Sequence, residues 1–358
     1  MIVEWLSVEN YRNHRSSKLI LDSRCTLVVG PNGQGKTNLL EALSLLSGSG
    51  SFRGAVAETL VRAGCAQAYV RAQVRQHRRT RLVELEIAAA GRSRAQVNGQ
   101  RVRSLHDLAD VVSVVVFCPD DLAIPAGGPA VRRALLDEVL TGTDRNYRSM
   151  RLDFERILRQ RNNLLKQAGH QPDGDAVRTL DVWDTQMASV GEAIAQRRER
   201  LCTSLLPPAL DAYCRLAGTA ADLQVTYDAP WRAESLAAAL TRARPDDLRR
   251  GTTTVGPHRD DVTICLDGLP ARTHASQGEQ RSIALALRLA QHRYTAQTSG
   301  VEPVILLDDV FSELDSRRAE RLAGCLPPSQ TVVTSATGHV PSGLEACRQV
   351  QVRRGEVM

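Results

Sequence analysis

Gly30-Pro31-Asn32-Gly33-Gln34-Gly35-Lys36-Thr37 is the stretch on which the fold turns. It follows a run from Leu19 to Val29 that reads as a strand. It precedes a helical pattern of Leu39, Leu40, Ala42, Leu43 and Leu46, which Gly48 ends. A strand running into G-x-x-x-x-G-K-[ST] at the start of a helix is the setting of a phosphate-binding loop. The glycines let backbone N–H groups close around phosphate oxygens, and the helix N-terminus favours the anion. On this reading residues Gly30 to Thr37 hold ATP. Lys36 reaches the β- and γ-phosphates and Thr37 ligates Mg2+.

A second stretch complements the first. Val304-Ile305-Leu306-Leu307-Asp308-Asp309 is an apolar strand ending in two carboxylates. Asp308 is placed to hold Mg2+ through its water shell, and Asp309 to position the attacking water. About thirty residues before Asp308, Ser276-Gln277-Gly278-Glu279-Gln280-Arg281 opens a helix expected to run to Tyr294. Read alone, Ser276 and Glu279 make a capping box. A serine hydroxyl and a glycine N–H at a helix start also form an anion site, which makes sense if it receives the γ-phosphate held by another subunit.

The rest of the chain arranges itself around these stretches. Ile2 to Val8 reads as a strand, and alternating apolar residues between Ala68 and Val102 read as antiparallel hairpins with a turn at Val97-Asn98-Gly99-Gln100. Val111 to Phe117, Val262 to Leu266 and Thr331 to Thr334 are further strands. The middle is helical. One apolar stripe runs through Tyr147, Met150, Phe154, Ile157 and Leu164, skipping Arg161. A second runs through Leu180, Met187, Ile194 and Leu201, after a Gly/Pro loop at 169–174 and before a stop expected at Pro207-Pro208. These read as the arms of a short antiparallel helical hairpin, or else as two ordinary packed helices. The expected organisation is an α/β core of residues 1–118 and 252–358, interrupted by a helical second lobe at 119–251.

Composition narrows the class. Of 358 residues 42% are apolar and 24% charged, as in an ordinary soluble globular protein. No run approaches the ~18 apolar residues of a membrane span, and the first residues lack the pattern of a signal peptide, so a cytoplasmic protein without membrane partners is expected. The eight cysteines are scattered without a CxxC pair, which predicts reduced thiols rather than a zinc site or a disulfide framework. The net charge of +6 is compatible with nucleic acid. Of 46 basic residues only Lys18, Lys36 and Lys166 are lysines, a bias that a GC-rich genome would also produce.

Phosphate loop, signature-like helix start and acidic strand end, in this order, resemble the ABC-type ATPases. The wider resemblance is to the RecF family of bacterial DNA repair and recombination proteins. It rests on Asn10-Tyr11-Arg12-Asn13, Lys36-Thr37-Asn38-Leu39-Leu40-Glu41-Ala42 and Ser51-Phe52-Arg53. It continues through Phe117-Cys118-Pro119-Asp120-Asp121-Leu122, Gly128-Pro129, Arg132-Arg133, Gly256-Pro257-His258-Arg259-Asp260-Asp261 and Ser312-Glu313-Leu314-Asp315.

The resemblance implies an ABC-type head, with a P-loop parallel sheet plus an antiparallel β subdomain and an inserted helical lobe. It implies ATP-driven, head-to-tail homodimers on DNA: single-stranded, duplex, gaps and junctions, with little sequence preference. Slow, DNA-stimulated hydrolysis would reset the dimer, and RecR- and RecO-type mediators would cooperate in loading the RecA recombinase. A nucleoid-associated location follows. Asn38 joins the nucleotide residues, Arg12 and Asn13 stand where related heads contact the nucleotide, Ser276, Gln277, Gly278 and Glu279 form the signature, and Asp315 belongs to the D-loop. Thr337 occupies the place of the switch histidine, and no Q-loop glutamine is present between Phe117 and Leu122; both departures suit a slow timer.

Arg132 and Arg133 read either as a helix start with salt bridges or as DNA contacts, and His258 to Asp261 as a packing or lobe-coupling element. Two other classes share the motifs. A transporter ATPase subunit would carry Leu-Ser-Gly-Gly-Gln and a switch histidine. A chromosome-structural protein needs long coiled coils, which the short hairpin cannot supply.

Overall fold

The computed structural model describes residues 1–77, 79–169, 172–344 and 348–358. The tip of the expected 169–174 loop lies partly outside these residues, as does Cys347. The chain forms two compact units: Met1–Leu122 with Pro208–Ala221 and Gln277–Met358, and Ala123–Pro207 with Asp222–Ser276.

The first unit opens with β1 (Ile2–Tyr11), β2 (His14–Ile20) and β3 (Cys25–Val29), followed by α1 (Lys36–Leu45) and a turn of helix, α2 (Ala57–Leu60). Where one strand from Leu19 to Val29 was expected, there are two. The Asp22 carboxylate accepts the Arg24 and Cys25 N–H groups at 2.8 and 3.3 Å, so the side chain closes a turn there. Then come β4 (Gln67–Gln76), β5 (Arg79–Ala88), β6 (Arg94–Val97), β7 (Gln100–Arg101) and β8 (Val114–Phe117).

The second unit holds α3 (Ala123–Ala126), α4 (Pro129–Thr143), α5 (Arg145–Ala168), most of α6 (Gly174–Ala217), β9 (Leu223–Asp228), α7 (Leu236–Arg250), β10 (Asp261–Leu266), β11 (Leu269–Pro270) and α8 (Ala271–His274). The chain closes with α9 (Gln277–Ser299), β12 (Val304–Asp308), α10 (Ser316–Cys325), β13 (Thr331–Ser335), β14 (Arg348–Arg353) and β15 (Glu356–Val357) in the first unit.

Two six-stranded sheets build the first unit. One is antiparallel, ordered β2-β1-β4-β5-β6-β7. The other is ordered β15-β14-β3-β13-β12-β8 and is parallel except for β15. All of β12 and β13 is buried, which explains their unbroken apolar and β-branched sequences. Leu39 and Leu43 of α1 share one core with Val3, Leu6 and Val70 of the antiparallel sheet and with Leu306 and Val332 of the parallel one. Truncating such a leucine to alanine costs about 2–5 kcal/mol.

In the second unit the heptad reading meets its contacts. Arg161 bonds Asp184, a Cβ at Gly191 would lie 3.4 Å from Phe154, and Arg198 lies 3.1 Å from the Tyr147 hydroxyl. Steps of seven up one helix meet steps of seven down the other, so α5 and α6 are antiparallel. The skipped position is informative. Arg161 is fully buried, with its guanidinium on Asp184 at 2.6 Å, Asp247 at 2.7 Å and the Thr253 hydroxyl at 2.8 Å.

Three expectations are corrected. Pro207-Pro208 does not end α6, which continues to Ala217; Leu205, Ala209, Tyr213 and Leu216 are buried on either side, and that packing offsets the lost backbone bonds. The units also divide elsewhere than at 118/119 and 251/252: Asp261–Leu266 pairs in register with Leu223–Asp228, so residues 252–276 group with the second unit, while 119–122 and 208–221 group with the first. Finally, Cys25 is disulfide-bonded, while Cys65, Cys118, Cys202, Cys214, Cys265 and Cys325 are free. No helix among the described residues is long and apolar enough to cross a membrane.

Candidate nucleotide site

The loop from Gly30 to Gly35 connects β3 to α1, with Gly35 as the N-cap at φ 111°. An L side chain rarely adopts that angle, and a Cβ there would lie 2.6 Å from His14 Nε2 and 2.7 Å from Asn13 Oδ1. The β1–β2 turn therefore backs the loop directly. Asn13 Nδ2 donates to the Gln34 carbonyl at 3.0 Å, Asn38 donates to Asn13 Oδ1 at 2.8 Å, and His14 Nε2 lies 3.1 Å from the Gly35 carbonyl. From the other side the Gly355 N–H donates to the Gln34 carbonyl at 3.0 Å.

Lys36 folds over the loop and donates to the carbonyls of Gly30 at 2.6 Å and Pro31 at 3.0 Å. Burial lowers its pKa, while Asp309 and Asp308 act the other way. A phosphate would give this ammonium a charged acceptor in place of two carbonyls. Thr37 Oγ1 donates to Asp308 Oδ1 at 2.8 Å although 271 residues separate them. Burial raises the Asp308 carboxyl against the hydrogen bonds from Thr37 and Thr334, which lower it. Two adjacent oxygen donors suit a hard divalent cation. Among the described residues no three His, Cys, Asp or Glu side chains gather as a metal site, so Mg2+ here would complete its shell from phosphate and water. Asp309 follows in the left-handed region at φ 52°, its N–H held by Thr334 Oγ1 at 2.9 Å.

The structure thus brings Gly30 to Asn38, Asp308 and Asp309 into one place with Asn13. Arg12 is engaged differently: its guanidinium grips Glu41 through Nε at 2.9 Å and Nη2 at 2.7 Å. Glu41, fully buried on α1, also accepts the Tyr11 and Ser51 hydroxyls at 2.9 and 2.5 Å. Burial pushes that carboxyl up, but the hydrogen bonds from Arg12, Ser51 and Tyr11 outweigh it and hold the pKa below the ordinary value. Thr337 accepts the His339 N–H at 3.3 Å. Besides Thr37, the threonine that touches the acidic pair is Thr334, bonded to Asp308 Oδ1 at 2.9 Å. Neither Glu41 nor Thr334 was singled out from sequence. A charged residue on the apolar side of a predicted helix, and a threonine ending a buried strand beside the acidic one, were the available signals.

The signature stretch falls at a unit boundary: Ser276 closes the second unit and Gln277 opens α9 in the first. A Cβ on Gly278 would lie 2.7 Å from Arg318 Nη1, so the glycine admits a guanidinium against the helix start. Arg318 in turn pairs with Asp315 at 3.0 Å, and Asp315 caps α10 by accepting the Arg318 N–H at 2.9 Å. Arg281 reaches the Glu313 carboxylate at 3.1 Å. Gly278, Arg281, Glu313 and Asp315 therefore form one locally braced surface, with Glu279 on the same helix.

The remaining charged motifs are consumed inside the second unit. Arg132 makes a two-pronged pair with Asp261 at 2.8 and 2.9 Å, and Arg133 donates to the Asp260 carbonyl. Asp260 accepts from Tyr227 and from Trp231 Nε1 at 2.7 Å. His258 Nε2 sits 3.1 Å from the Thr253 carbonyl, and burial pushes its pKa down to about 4.

Comparison with known proteins agrees with this architecture. The family model for the RecF/RecN/SMC N-terminal domain matches residues 2–357. The DNA replication and repair protein RecF of Streptomyces avermitilis is 42% identical over 371 residues, covering 100% of this chain and 99% of that protein. The protein of the same name from Frankia alni is 40% identical, covering 99% and 98%. The solved structure of the recombination mediator protein RecF with ATP in the RecFOR pathway superposes with a TM-score of 0.90 at 30% identity, covering 100% of this chain and 97% of that one. An SMC head domain from Pyrococcus furiosus, at 15% identity and a TM-score of 0.55, shares the fold alone. With matches along its full length, a phosphate loop closed by Thr37 and Asp308, and an ABC-type arrangement of sheets, the chain belongs to the RecF family.

Proposed function

We propose that this protein is an ATP-dependent DNA-binding switch of recombinational repair, in which ATP drives head-to-tail dimerisation on DNA and slow, DNA-stimulated hydrolysis resets the dimer. The observation that carries the reading is the Thr37–Asp308 hydrogen bond of 2.8 Å, which joins the phosphate loop to the acidic strand end. The relatives' RecF name and the ATP complex of a 30% identical RecF support it.

Backbone N–H groups of residues 30–37 cradle the phosphates and Lys36 supplies the cation, with Asn13 and Asn38 bracing the loop. Thr37 and Asp308 would hold Mg2+, which would supply positive charge against the phosphates. Asp309 orients the attacking water. Ser276 to Glu279 of one subunit receive the γ-phosphate held by the other, with Asp315 at the same interface and Thr337 as a weak sensor. The DNA partners are single strands, duplexes and gaps, the protein partners RecR- and RecO-type mediators, and the place of action the nucleoid.

Sedimentation of the protein with ATP, ADP or no nucleotide, on gapped DNA, tests this. ATP alone should produce DNA-bound dimers, and Ser276→Arg should keep monomeric ATP binding while losing those dimers. Equal DNA binding in all three states removes the switch. Loss of monomeric ATP binding in Ser276→Arg makes Ser276 a structural cap instead.

A further inference from the structure

The positive charge of this protein is not spread over it. Residues 67 to 103 contain nine arginines against Glu84 and Glu86, a net of +7; the whole chain carries +6, so everything else nets −1. That segment is β4 to β7, four of the six strands of the antiparallel sheet.

Strand register decides which way the charges face. Val70, Ala72, Val83, Leu85 and Ala95 are buried in the core. The alternate residues share the opposite face. One row there runs Arg71–Glu84–Gln96–Arg101 across four strands, and the next runs Tyr69–Glu86–Arg94 across three. The two acids are already engaged: Glu84 pairs with Arg71 at 3.2 Å and Glu86 accepts Gln67 Nε2 at 3.2 Å. Arg92, Arg94, Arg101 and Arg103 are exposed, and none of them makes an ion pair among the described residues. Tyr69, with the Arg71 guanidinium 5.1 Å from its ring centre, joins Arg94 and Arg101 around a groove of about 210 Å3.

We infer that this arginine-lined face at the β6–β7 edge of the antiparallel sheet is a docking surface for the phosphate backbone of DNA. Guanidinium groups fork onto phosphate oxygens, and a row of them left without internal partners is matched by a polyanion. Edge strands do carry charge simply to block pairing with other sheets, but that task needs charge of either sign, not this excess of one. An acidic protein partner would call for an apolar centre to the patch. Among the described residues the exposed large hydrophobic side chains are Ile20, Val56, Leu152, Val182, Leu269 and Met358, all outside β4–β7.

The inference rests on the reading that the protein binds DNA, and one experiment separates the two. Wild type and Arg92→Gln/Arg94→Gln/Arg101→Gln/Arg103→Gln are titrated with fluorescent duplex DNA in ATP at several salt concentrations, and with fluorescent ATP as a control. The quadruple variant should bind ATP as wild type does, lose about tenfold or more in DNA affinity, and show a log K against log[salt] slope shallower by about 3–4. The matching Arg→Lys variant should restore most of the slope. If wild type does not bind DNA, the functional reading fails. If wild type binds and the Gln variant keeps both affinity and slope, the reading stands and this surface is not the DNA contact, whether or not the face then proves to take a protein.

Discussion

Two clusters of charge in this molecule look alike on paper and behave differently in space. Around the phosphate loop, Lys36 is held by two carbonyls, and Thr37 and Asp308 by one another. In the second unit, Arg161 is enclosed by Asp184, Asp247 and Thr253, while Arg132 is locked to Asp261 and Asp260 to Tyr227 and Trp231. In the first cluster the cation lacks a carboxylate partner at bonding distance among the described residues, and a phosphate would improve its lot. In the second Arg161 and Arg132 have met carboxylates and Asp260 two neutral donors, and a ligand would have to break one of these bonds to enter. Conspicuous charged motifs therefore divide into those kept open for chemistry and those spent on architecture, and the partner atoms tell them apart.

The largest expected effect breaks the closed cluster. Arg161→Leu takes the bonded cation from Asp247, which is fully buried, and leaves Asp184 with Arg244 at 2.5 Å, which should lower stability by about 3–5 kcal/mol. Urea unfolding measures it, and ATP binding by the folded fraction should be unchanged. A loss under 1 kcal/mol would mean that Arg244, Thr254 and water satisfy the two carboxylates without Arg161.

Lys36→Ala breaks the open cluster and should do the reverse. ATP affinity should fall about a hundredfold, roughly 2.7 kcal/mol, with little change in the urea midpoint, because the lysine now holds only carbonyls. Fluorescent-ATP titration beside urea unfolding gives both numbers. A variant that unfolds more readily yet still binds ATP would turn the contrast upside down.

Much of this contrast could be read from sequence, and the reasons for what could not are physical. The phosphate loop, the acidic strand end and the apolar stripe through Tyr147, Phe154 and Ile157 are local patterns, set by chain geometry within a few residues. Pro207-Pro208 misled because propensity is local while the packing of Leu205, Ala209 and Leu216 is not. The split at Asp22 turned on one side chain accepting two N–H groups. Pairing of β9 with β10 joins segments separated by all of α7, which no window of sequence spans. Glu41 and Thr334 were missed because their importance lies wholly in partners distant along the chain.

A pH series sharpens the comparison with a smaller effect. His258 has a pKa of about 4, against about 6.5 for an unfolded histidine, chiefly through burial and then through Arg259, Arg133 and Arg161. Between those values the unfolded chain binds the extra proton, so stability is fully present above about pH 6.5 and is lost as pH falls toward 4. At pH 5 the loss is about 2 kcal/mol. His258→Gln should flatten the change in stability between pH 7 and 5 by that order. His14 and His292 are also held down by burial and contribute equally to both proteins, so the difference isolates His258. Identical pH profiles would show that His258 charges freely in the folded protein.

The smallest effect belongs to Glu41, which stands between the two kinds of cluster. It is as enclosed as Asp247, yet the arginine it binds, Arg12, follows Tyr11 into the turn that braces the loop, and Arg12 itself is in the left-handed region at φ 51°. Its four donors, from Tyr11, Arg12 twice and Ser51, fix that turn against α1 one helical turn beyond Lys36 and Thr37. Glu41→Gln keeps the shape and removes the charge, so Arg12 loses its counter-ion but Tyr11 keeps an acceptor. If Arg12 acts on the nucleotide, freeing it should weaken ATP binding about five- to tenfold, roughly 1 kcal/mol. The decisive measurement is a double-mutant cycle with Arg12→Ala. Should Glu41 work only by placing Arg12, the double variant will bind ATP no more weakly than Arg12→Ala alone. Additive losses would assign Glu41 an effect on the loop through Tyr11 or Ser51. Unchanged affinity in Glu41→Gln and Arg12→Ala alike would move the Arg12–Glu41 pair to the architectural side of the comparison.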